Sequence, residues 1–164
     1  MNTANKKQNG FTIIEVVLVL AIAGLIFLMV FVALPSLQRG QRDTQRKNDI
    51  SRVQVQMTNY LTSTRGSVPD DRDSLGGFVE GYLKGTSSNL TAGDEYKDPN
   101  GNNYVFKFGT PLNEQDKNTI GYYNKSACKT DGTGDVDSTD ANRDFALLIK
   151  LENQTAPYCI DNKS

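Results

Sequence analysis

The first quarter of the chain is apolar, and the rest is polar with shorter apolar patterns. From Val16 to Leu34 no residue is charged or strongly polar. A helix of that length rises roughly 28 Å at about 1.5 Å per residue, which is close to the thickness of the hydrocarbon core of a bilayer. The run is also longer than the apolar core of an ordinary secretory signal. The pattern predicts a retained helix that can span a membrane.

A second helical pattern follows Pro35, which removes a backbone donor and is expected to kink or loosen the helix near Phe31. Apolar residues then recur at steps of three and four, the mark of one helix face. They are Ile50, Val53, Met57, Tyr60, Leu61 and Thr64. The opposite face is expected to carry Arg42, Arg46, Lys47, Asp49, Arg52 and Asn59. We predict one long rod, ended by Gly66 and Pro69, whose distal half packs on a globular partner.

After the rod, the only apolar patch before Pro99 is FVEGYL (78–83), which is expected to be a brief helix or turn. The period then changes to two in four segments rich in aromatic and β-branched residues. These are NNYVFKFG (102–109), TIGYYN (119–124), FALLIKLE (145–152) and YCID (158–161). We predict an α+β fold in which the rod packs on a four-stranded antiparallel sheet, with an irregular loop at 130–142.

These patterns divide the chain into five parts. A short, polar, basic leader (1–10) ends in Gly10 and is followed by the apolar helix (11–35) and its amphipathic continuation (36–65). A connecting region (66–101) and the C-terminal sheet region (102–164) complete the chain.

The distribution of charge bears on which side of the membrane the C-terminal domain lies. Lys6 and Lys7 precede the apolar run, whereas five basic residues follow it between 38 and 52. Lys and Arg flank the cytoplasmic end of a span, so counting alone would place the C-terminal domain inside. After Arg52 the chain has 11 basic and 16 acidic residues, and nothing indicates a nucleic-acid groove.

Cysteine usage favours the opposite topology. Cys128 and Cys159 are the two cysteines of a small domain rich in Gly, Asn, Asp and Thr, a composition typical of a disulfide formed in an oxidising compartment. Closing a loop of about 30 residues would stabilise the domain by roughly 3 to 4 kcal/mol on the chain-entropy model. The alternative is a pair of unrelated free thiols.

The start of the apolar run carries a specific motif. Gly10, Phe11, Thr12 and Glu15, followed by the apolar helix, resemble the processing signature of type IV prepilins and of the related pseudopilins of type II secretion. The resemblance implies that a membrane prepilin peptidase cuts after Gly10 on the cytoplasmic side. It also implies that the peptidase methylates the new amino terminus, which would be Phe11.

Glu15 needs a physical explanation because a carboxylate within a membrane helix costs up to a few kcal/mol. Cleavage would create a cationic amine at Phe11, and Glu15 of one subunit could neutralise the amine of a staggered neighbour. Removing one partner of such a buried pair typically costs about 3 to 5 kcal/mol. We therefore expect Glu15 to set the register of assembly. The alternative is that Glu15 reaches the interface as part of an ordinary signal anchor.

Two further residues of the apolar helix are candidates for a role in assembly. Gly24, together with Ala21 and Ala23, supplies small side chains that let helices approach closely. In the family, a Gly at the place of Gly24 and a later Pro bracket a region that can unwind in the filament. Here Pro35 lies a few residues later than is usual.

Two later stretches are similar to segments of the same family. DPNGNNY (98–104) resembles the segment that leads into the sheet of major pseudopilins and many simple pilins, although a Pro-Asn-Gly turn before a strand is by itself a full explanation of the stretch. The stretch 129–144 has five Asp among Gly, Ser, Thr and Asn, and major pseudopilins hold calcium in this region. Hard oxygen ligands suit Ca²⁺, but the spacing is not that of an EF-hand, and a solvated acidic loop is the alternative. The candidate ligands are Asp131, Asp135, Asp137 and Asp140.

No acid/base or nucleophile arrangement supports catalysis, and the chain has no His. The resemblance implies a structural subunit that polymerises into a type IV pilus-like surface filament, used in adhesion, motility or DNA uptake. Its implied partners are prepilin peptidase, other copies of the subunit, the assembly platform and motor ATPases. The precursor would sit in the cytoplasmic membrane with its C-terminal domain outside. The alternatives are a type II secretion pseudopilin and a signal-anchored extracellular binding domain that never polymerises.

Overall fold

A computed structural model describes residues 10–163, so the predicted leader lies outside the described residues except for Gly10. The described chain forms two compact units, one ending at Gln38 and one beginning at Arg39. The elements in chain order are α1 (Ile13–Ser63), α2 (Arg72–Leu83), β1 (Val105–Phe108), β2 (Thr119–Asn124), β3 (Ser126–Cys128), β4 (Val136–Ser138), β5 (Phe145–Ile149) and β6 (Tyr158–Asp161).

The first unit consists of the apolar part of α1. The helix is uninterrupted at Pro35, although this residue cannot donate the backbone hydrogen bond toward Phe31. Among the described residues, α1 is the one helix long and apolar enough to cross a membrane, by length and composition. No residue of the apolar stretch that meets this criterion is buried in the isolated chain.

The distal part of α1 belongs to the second unit and packs on it as predicted. Ile50, Val53 and Met57 are completely buried, and Leu61 is nearly so. The prediction for the opposite face was wrong at two positions, because Arg46 is also completely buried and Asp49 is buried too. Residues 46, 50, 53 and 57 are separated by steps of three and four, so Arg46 lies on the same face as the apolar residues.

The main sheet has four strands in the order β1-β2-β5-β6. The pairs β2–β5 and β5–β6 are antiparallel as predicted, with Tyr122 opposite Leu147 and Leu148 opposite Cys159. The fully antiparallel sheet was a wrong prediction, because β1 and β2 are parallel. The connection 109–118 brings the chain back to the start of β1, so that β2 can run in the same direction. An ion pair between the Lys107 ammonium and the Asp116 carboxylate, at 2.8 Å, attaches this connection to β1.

The predicted loop at 130–142 contains a strand instead. β4 pairs antiparallel with β3 to form a two-stranded sheet. A disulfide between Cys128 and Cys159, with their Cα atoms 5.8 Å apart, joins this small sheet to β6. Asp161 also receives a hydrogen bond from the backbone N–H of Cys128 at 2.7 Å. The hairpin is therefore attached to the main sheet by both covalent and polar contacts.

The predicted brief helix is longer than FVEGYL. α2 begins at Arg72 because Asp71 caps it, accepting a hydrogen bond from the backbone N–H of Ser74 at 2.7 Å. Its buried residues include Leu75, Phe78, Val79 and Leu83, which join the core formed by distal α1 and the main sheet. Along β5 the side chains alternate between two sets of contacts. Phe145, Leu147 and Ile149 enter this core, whereas Ala146 and Leu148 form a smaller cluster with Leu112.

Candidate functional site

The predicted cut site lies directly before α1. Gly10 and Phe11 precede the helix, and Phe11 is 91% exposed. A side chain built on Gly10 would meet no heavy atom of the described residues within 4 Å. The Gly10–Phe11 bond is therefore accessible in the described part of the chain.

Thr12 and Glu15 form a capping box at the beginning of α1. The backbone N–H and the hydroxyl of Thr12 donate to Glu15 Oε2 at 2.9 and 2.8 Å. The backbone N–H of Glu15 lies 3.4 Å from Thr12 Oγ1. The two residues thus satisfy polar groups that have no partner within the helix, and the carboxylate is placed where the helix dipole favours a negative charge. This role was not predicted from the sequence, although Thr-x-x-Glu before an apolar run is its known signal.

Glu15 is the only charged residue between Phe11 and Gln38. Its neighbours on the helix surface, Val16 and Val19, are apolar and exposed in the isolated chain. The carboxylate would therefore enter an apolar environment whenever this part of α1 is surrounded by lipid or by other helices. The capping box lowers the cost of that transfer by supplying two donors, but it supplies no positive charge.

Comparison with known proteins finds a family match for the amino-terminal segment. Residues 5–31 match the family model described as a prokaryotic N-terminal methylation motif. The chain carries the signature of type IV prepilins and pseudopilins. No curated protein and no solved structure matches the chain.

The prepilin signature covers the residues on which the resemblance was based. It includes Gly10, Phe11, Glu15 and Gly24, while Pro35 and the whole second unit lie outside the match. Gly24 is exposed on the apolar helix, with no heavy atom within 4 Å of a side chain built there. The unwinding of the helix between Gly24 and Pro35 stays a prediction. Families with this signature are structural rather than enzymatic.

Outside the prepilin signature, a buried ionic cluster joins α1 to the sheet. Arg46 Nη1 lies 2.9 Å from Glu152 Oε1 and 3.4 Å from Asp43 Oδ1, and its Nη2 lies 3.9 Å from Asp98 Oδ2. Arg42 holds the same Glu152 carboxylate with two hydrogen bonds, from Nε at 2.9 Å and from Nη2 at 2.6 Å. The cluster places two guanidinium groups and three carboxylates in one partly water-excluded site.

The cluster also fixes the turn that follows β5. Asp43 accepts hydrogen bonds from the backbone N–H groups of Glu152 at 2.7 Å and Asn153 at 3.0 Å. The hydrogen bonds from Arg42 lower the pKa of Glu152 from 4.5 to about 2, so this carboxylate is charged in the folded protein at neutral pH. The β5–β6 turn is thereby attached to α1 by charge and by backbone hydrogen bonds.

The DPNG motif forms the predicted turn. The Asp98 carboxylate accepts hydrogen bonds from the backbone N–H of Asn100 at 3.2 Å and of Asn102 at 2.8 Å. Gly101 has a φ of 87°, a left-handed conformation that favours glycine. The turn predicted from the sequence is therefore confirmed.

The turn alone does not explain the whole motif, because both of its ends contact α1. Asp98 is buried beside Arg46, and the hydroxyl of Tyr104 donates to Asp49 Oδ2 at 3.2 Å. Burial raises the pKa of Asp49, and it raises the pKa of the Tyr104 hydroxyl as well. The motif thus supplies a carboxylate and a hydroxyl to two buried charged residues of the helix.

The candidate calcium ligands are not brought together. Asp135 and Asp137 both face the ammonium of Lys129, at 3.7 and 3.8 Å, and Asp131 accepts hydrogen bonds from Thr133. Asp140 is exposed. Within residues 10–163 there is no group of three or more His, Cys, Asp or Glu side chains placed to hold a metal ion. Calcium binding stays a prediction that would require this loop to rearrange.

Proposed function

We propose that this chain is the precursor of a structural subunit that polymerises into a type IV pilus-like surface filament. Prepilin peptidase hydrolyses the Gly10–Phe11 peptide bond and methylates the new amino group of Phe11. The observation that carries the proposal is a single carboxylate, Glu15, at the fifth position after the cut within the matched methylation motif.

The function of Glu15 follows from charge balance in an apolar environment. The carboxylate accepts two hydrogen bonds from Thr12, yet no cation lies beside it in the described part of the single chain. In the filament, the methylated amine of an adjoining subunit supplies that cation. Such a pair forms only at one stagger between subunits, which fixes the register of the polymer.

The proposed topology places the second unit outside the cytoplasmic membrane, against a simple count of basic residues. Arg42, Arg46 and Arg52 all lie in the basic stretch that follows the apolar run, and each pairs with a carboxylate of the second unit. Packing of the second unit thus gives these residues a reason to be basic that is independent of topology. The disulfide supports an oxidising compartment for the same unit.

The proposed partners follow from polymerisation. Before assembly the apolar helix lies in the cytoplasmic membrane, where prepilin peptidase meets the Gly10–Phe11 bond. Assembly then requires other copies of the subunit, an assembly platform and motor ATPases. Adhesion, motility by extension and retraction, or DNA uptake would be carried out by the fibre.

Electron microscopy of intact cells tests the proposal directly. Antibodies against the second unit should label surface fibres in the wild type. The Glu15→Val variant should still enter the membrane but should lose most of its fibres, because the amine of the neighbouring subunit is left without a partner. The matched control is Glu80→Val, which makes the same change at an exposed site on α2. A wild-type yield of fibres from Glu15→Val would contradict the pairing mechanism.

The nearest alternative is a pseudopilin that drives type II secretion as a short periplasmic fibre. It shares the methylation motif, and the DPNGNNY stretch resembles the corresponding segment of major pseudopilins. Deletion of the gene separates the two functions. Loss of surface fibres with normal release of exoproteins supports the pilus, whereas loss of exoprotein release without surface fibres supports the pseudopilus.

A further inference from the structure

A cavity lies on the face of the main sheet that is turned away from distal α1, which we call the second face. Leu148 of β5 points to this face, and Lys150, two residues later, continues the alternation. Two segments cover the second face: the connection 109–118 through Leu112, and the β3–β4 hairpin through Val136. Between them lies an open cavity of about 360 Å³. Small-molecule sites commonly have volumes of about 300 to 1,000 Å³, so the cavity is large enough for one small ring.

The cavity combines apolar walls with one aromatic ring. The apolar lining is contributed by Pro111, Leu112, Val136, Leu148 and Pro157. The Tyr123 ring lies next to Gly121, where an added Cβ would approach Tyr123 Cε2 at 3.3 Å. Within residues 10–163 the Tyr123 hydroxyl makes no hydrogen bond. Burial raises the pKa of this hydroxyl, with a smaller contribution from the Asp135 carboxylate, so at neutral pH it is a hydrogen-bond donor without a partner.

Lys150 brings a buried positive charge to the cavity. Its side chain is only 9% exposed, and its Nζ donates to the carbonyl oxygen of Thr155 at 2.7 Å and to Glu114 Oε1 at 3.0 Å. The Glu114 side chain is 75% exposed. A carboxylate that lies largely in water offsets little of the cost of burying an ammonium, because water screens the pair. The Lys150 ammonium is therefore placed to accept a better anionic partner from outside the chain.

Lys129, on the β3–β4 hairpin, is the second lysine of the lining. Its Nζ lies 3.7 Å from Asp135 Oδ2 and 3.8 Å from Asp137 Oδ1, and both distances are too long for a hydrogen bond. The two carboxylates are also 66% and 69% exposed. Asp135 lines the cavity beside Lys129. This wall therefore offers both donors and acceptors that a ligand could use.

The mixed charges of the lining restrict the chemistry of the ligand. An apolar carboxylic acid would satisfy Lys150 but would have nothing to donate to Asp135. A neutral sugar would donate hydroxyl groups to Asp135 but would bring no anion to Lys150. A hexuronate, a sugar whose terminal carbon is a carboxylate, supplies the anion and the hydroxyl groups on one ring. The C–H groups of such a ring also pack favourably on aromatic faces and apolar walls.

We propose that this cavity binds a hexuronate, with its carboxylate at Lys150 and its hydroxyl groups toward Asp135 and Tyr123. Glu114 holds the Lys150 ammonium in the empty site, and the ligand carboxylate displaces it. The cavity lies wholly within the second unit, so the inference goes beyond the proposed polymerisation and does not depend on it. The ligand is either a free sugar acid or one unit of an acidic polysaccharide.

Titration of the full chain with sodium D-glucuronate tests the proposal. The protein is kept in a detergent without a sugar headgroup, and binding is followed by saturation-transfer NMR of the ligand. The control ligands are D-glucose, which lacks the carboxylate, and cyclohexanecarboxylate, which lacks the hydroxyl groups. We expect each to bind at least about tenfold more weakly, because each leaves a charged group of the site without its hydrogen bonds. Binding of an oligogalacturonate as well supports a polysaccharide unit, whereas binding of the monosaccharide alone supports a free sugar acid.

Substitutions in the lining give changes of opposite sign. Lys150→Gln should weaken glucuronate binding at least about tenfold, and Lys129→Gln should weaken it severalfold with an unchanged unfolding midpoint. Glu114→Gln should strengthen binding severalfold, because the ligand no longer competes with a carboxylate of the chain. The matched controls are Lys117→Gln, at an exposed lysine of the connection 109–118, and Glu80→Gln, at an exposed site on α2. Neither should change the affinity.

Equal affinities for glucuronate and glucose would overturn the proposal, because the carboxylate would then make no contact of its own. Weaker binding by Glu114→Gln than by the wild type would also overturn it, since Glu114 would be holding the ligand rather than competing with it. Unchanged binding by Lys129→Gln would remove this lysine from the site. The Glu114 and Lys129 variants change side chains that are exposed or a third exposed, so they decide the question even where Lys150→Gln fails to fold.

Discussion

Replacing Arg46 by Met tests how the second unit is held together. The guanidinium is completely buried and touches carboxylates from α1, from the β5–β6 turn and from the turn before β1. Met keeps much of the side-chain volume and the helix propensity but removes the charge. We expect the variant to be destabilised, because buried carboxylates lose their shared cation.

The size of the expected loss of stability depends on the hydrogen-bond donors that the carboxylates keep when Arg46 is replaced. Removing one member of a buried ion pair typically costs about 3 to 5 kcal/mol. Glu152 keeps its two hydrogen bonds from Arg42, and Asp43 keeps two backbone N–H donors. Asp98 likewise keeps the N–H donors of its own turn. The expected loss in the free energy of unfolding is therefore at the lower end of that range, about 3 kcal/mol. This corresponds to a fall in the melting temperature of roughly 6 to 12 °C for a protein of this size.

The assay is thermal and denaturant unfolding of the full chain in detergent micelles, followed by circular dichroism. Arg39→Met is the matched control, because Arg39 is exposed and has no ion pair in the described part of the chain, and its change should stay within about 0.5 kcal/mol. A double-mutant cycle with Glu152→Gln should give a coupling energy of at least about 1 kcal/mol. If Arg46→Met and Arg39→Met unfold alike, the cluster does not stabilise the fold.

Three other predictions concern acid stability, the disulfide and two glycines. The folded pKa of Glu152 lies below its ordinary value, so its stabilisation is complete above about pH 4.5 and is lost as the pH falls toward 2; unfolding at graded pH should show a loss of up to about 3 kcal/mol, and a flat profile would contradict the ion pair. Cys159→Ser should cost roughly 3 to 4 kcal/mol and should speed amide exchange in the β3–β4 hairpin, and unchanged exchange would show that the hairpin does not depend on the bridge. Gly77→Ala should stabilise the protein by about 0.5 to 1 kcal/mol, because Gly77 is an exposed position within α2 with free space around it. Gly85→Ala should destabilise the protein, because the new Cβ would clash with the Thr91 carbonyl oxygen. The reverse order of melting temperatures would contradict this description of the packing.

The amino-terminal site could be predicted from the sequence because its signals are local. The apolar run, the position of Glu15 and the preceding Gly10-Phe11 all lie within one short segment. The capping box is equally local, since Thr12 and Glu15 have the required spacing. The apolar run hides this signal, because Glu15 is at once the last residue of the Thr-x-x-Glu pattern and the one carboxylate at the start of the membrane-length segment.

The buried ionic cluster needed one more step of helix geometry. The apolar stripe of distal α1 continues backward from Ile50 to Arg46 at a step of four, so the phase of the helix already places Arg46 on the inner face. Residue type suggested the opposite, since arginine is rarely fully buried. The carboxylates that make its burial possible come from Asp98 and Glu152, which are far away in the sequence.

The errors in the sheet have a different origin. Whether β1 runs parallel or antiparallel to β2 depends on the path of the connection 109–118, which no local pattern specifies. The strand β4 was missed because Val136 is its only apolar residue and its neighbours are Asp and Ser. Its pairing depends on β3 and on the disulfide, and neither is visible in the local pattern of 130–142.

Mass spectrometry of the amino terminus of the protein extracted from membranes shows whether the Gly10–Phe11 bond is cut and the new terminus methylated. If the proposed processing occurs, the chain begins at N-methylated Phe11 and has lost its first ten residues, and cells that lack prepilin peptidase retain those residues. An unmethylated chain that still begins at Met1 in cells with active peptidase would contradict it. In that case there would be no amine at Phe11 of a neighbouring subunit to pair with Glu15, and the chain would be a signal-anchored domain that does not polymerise.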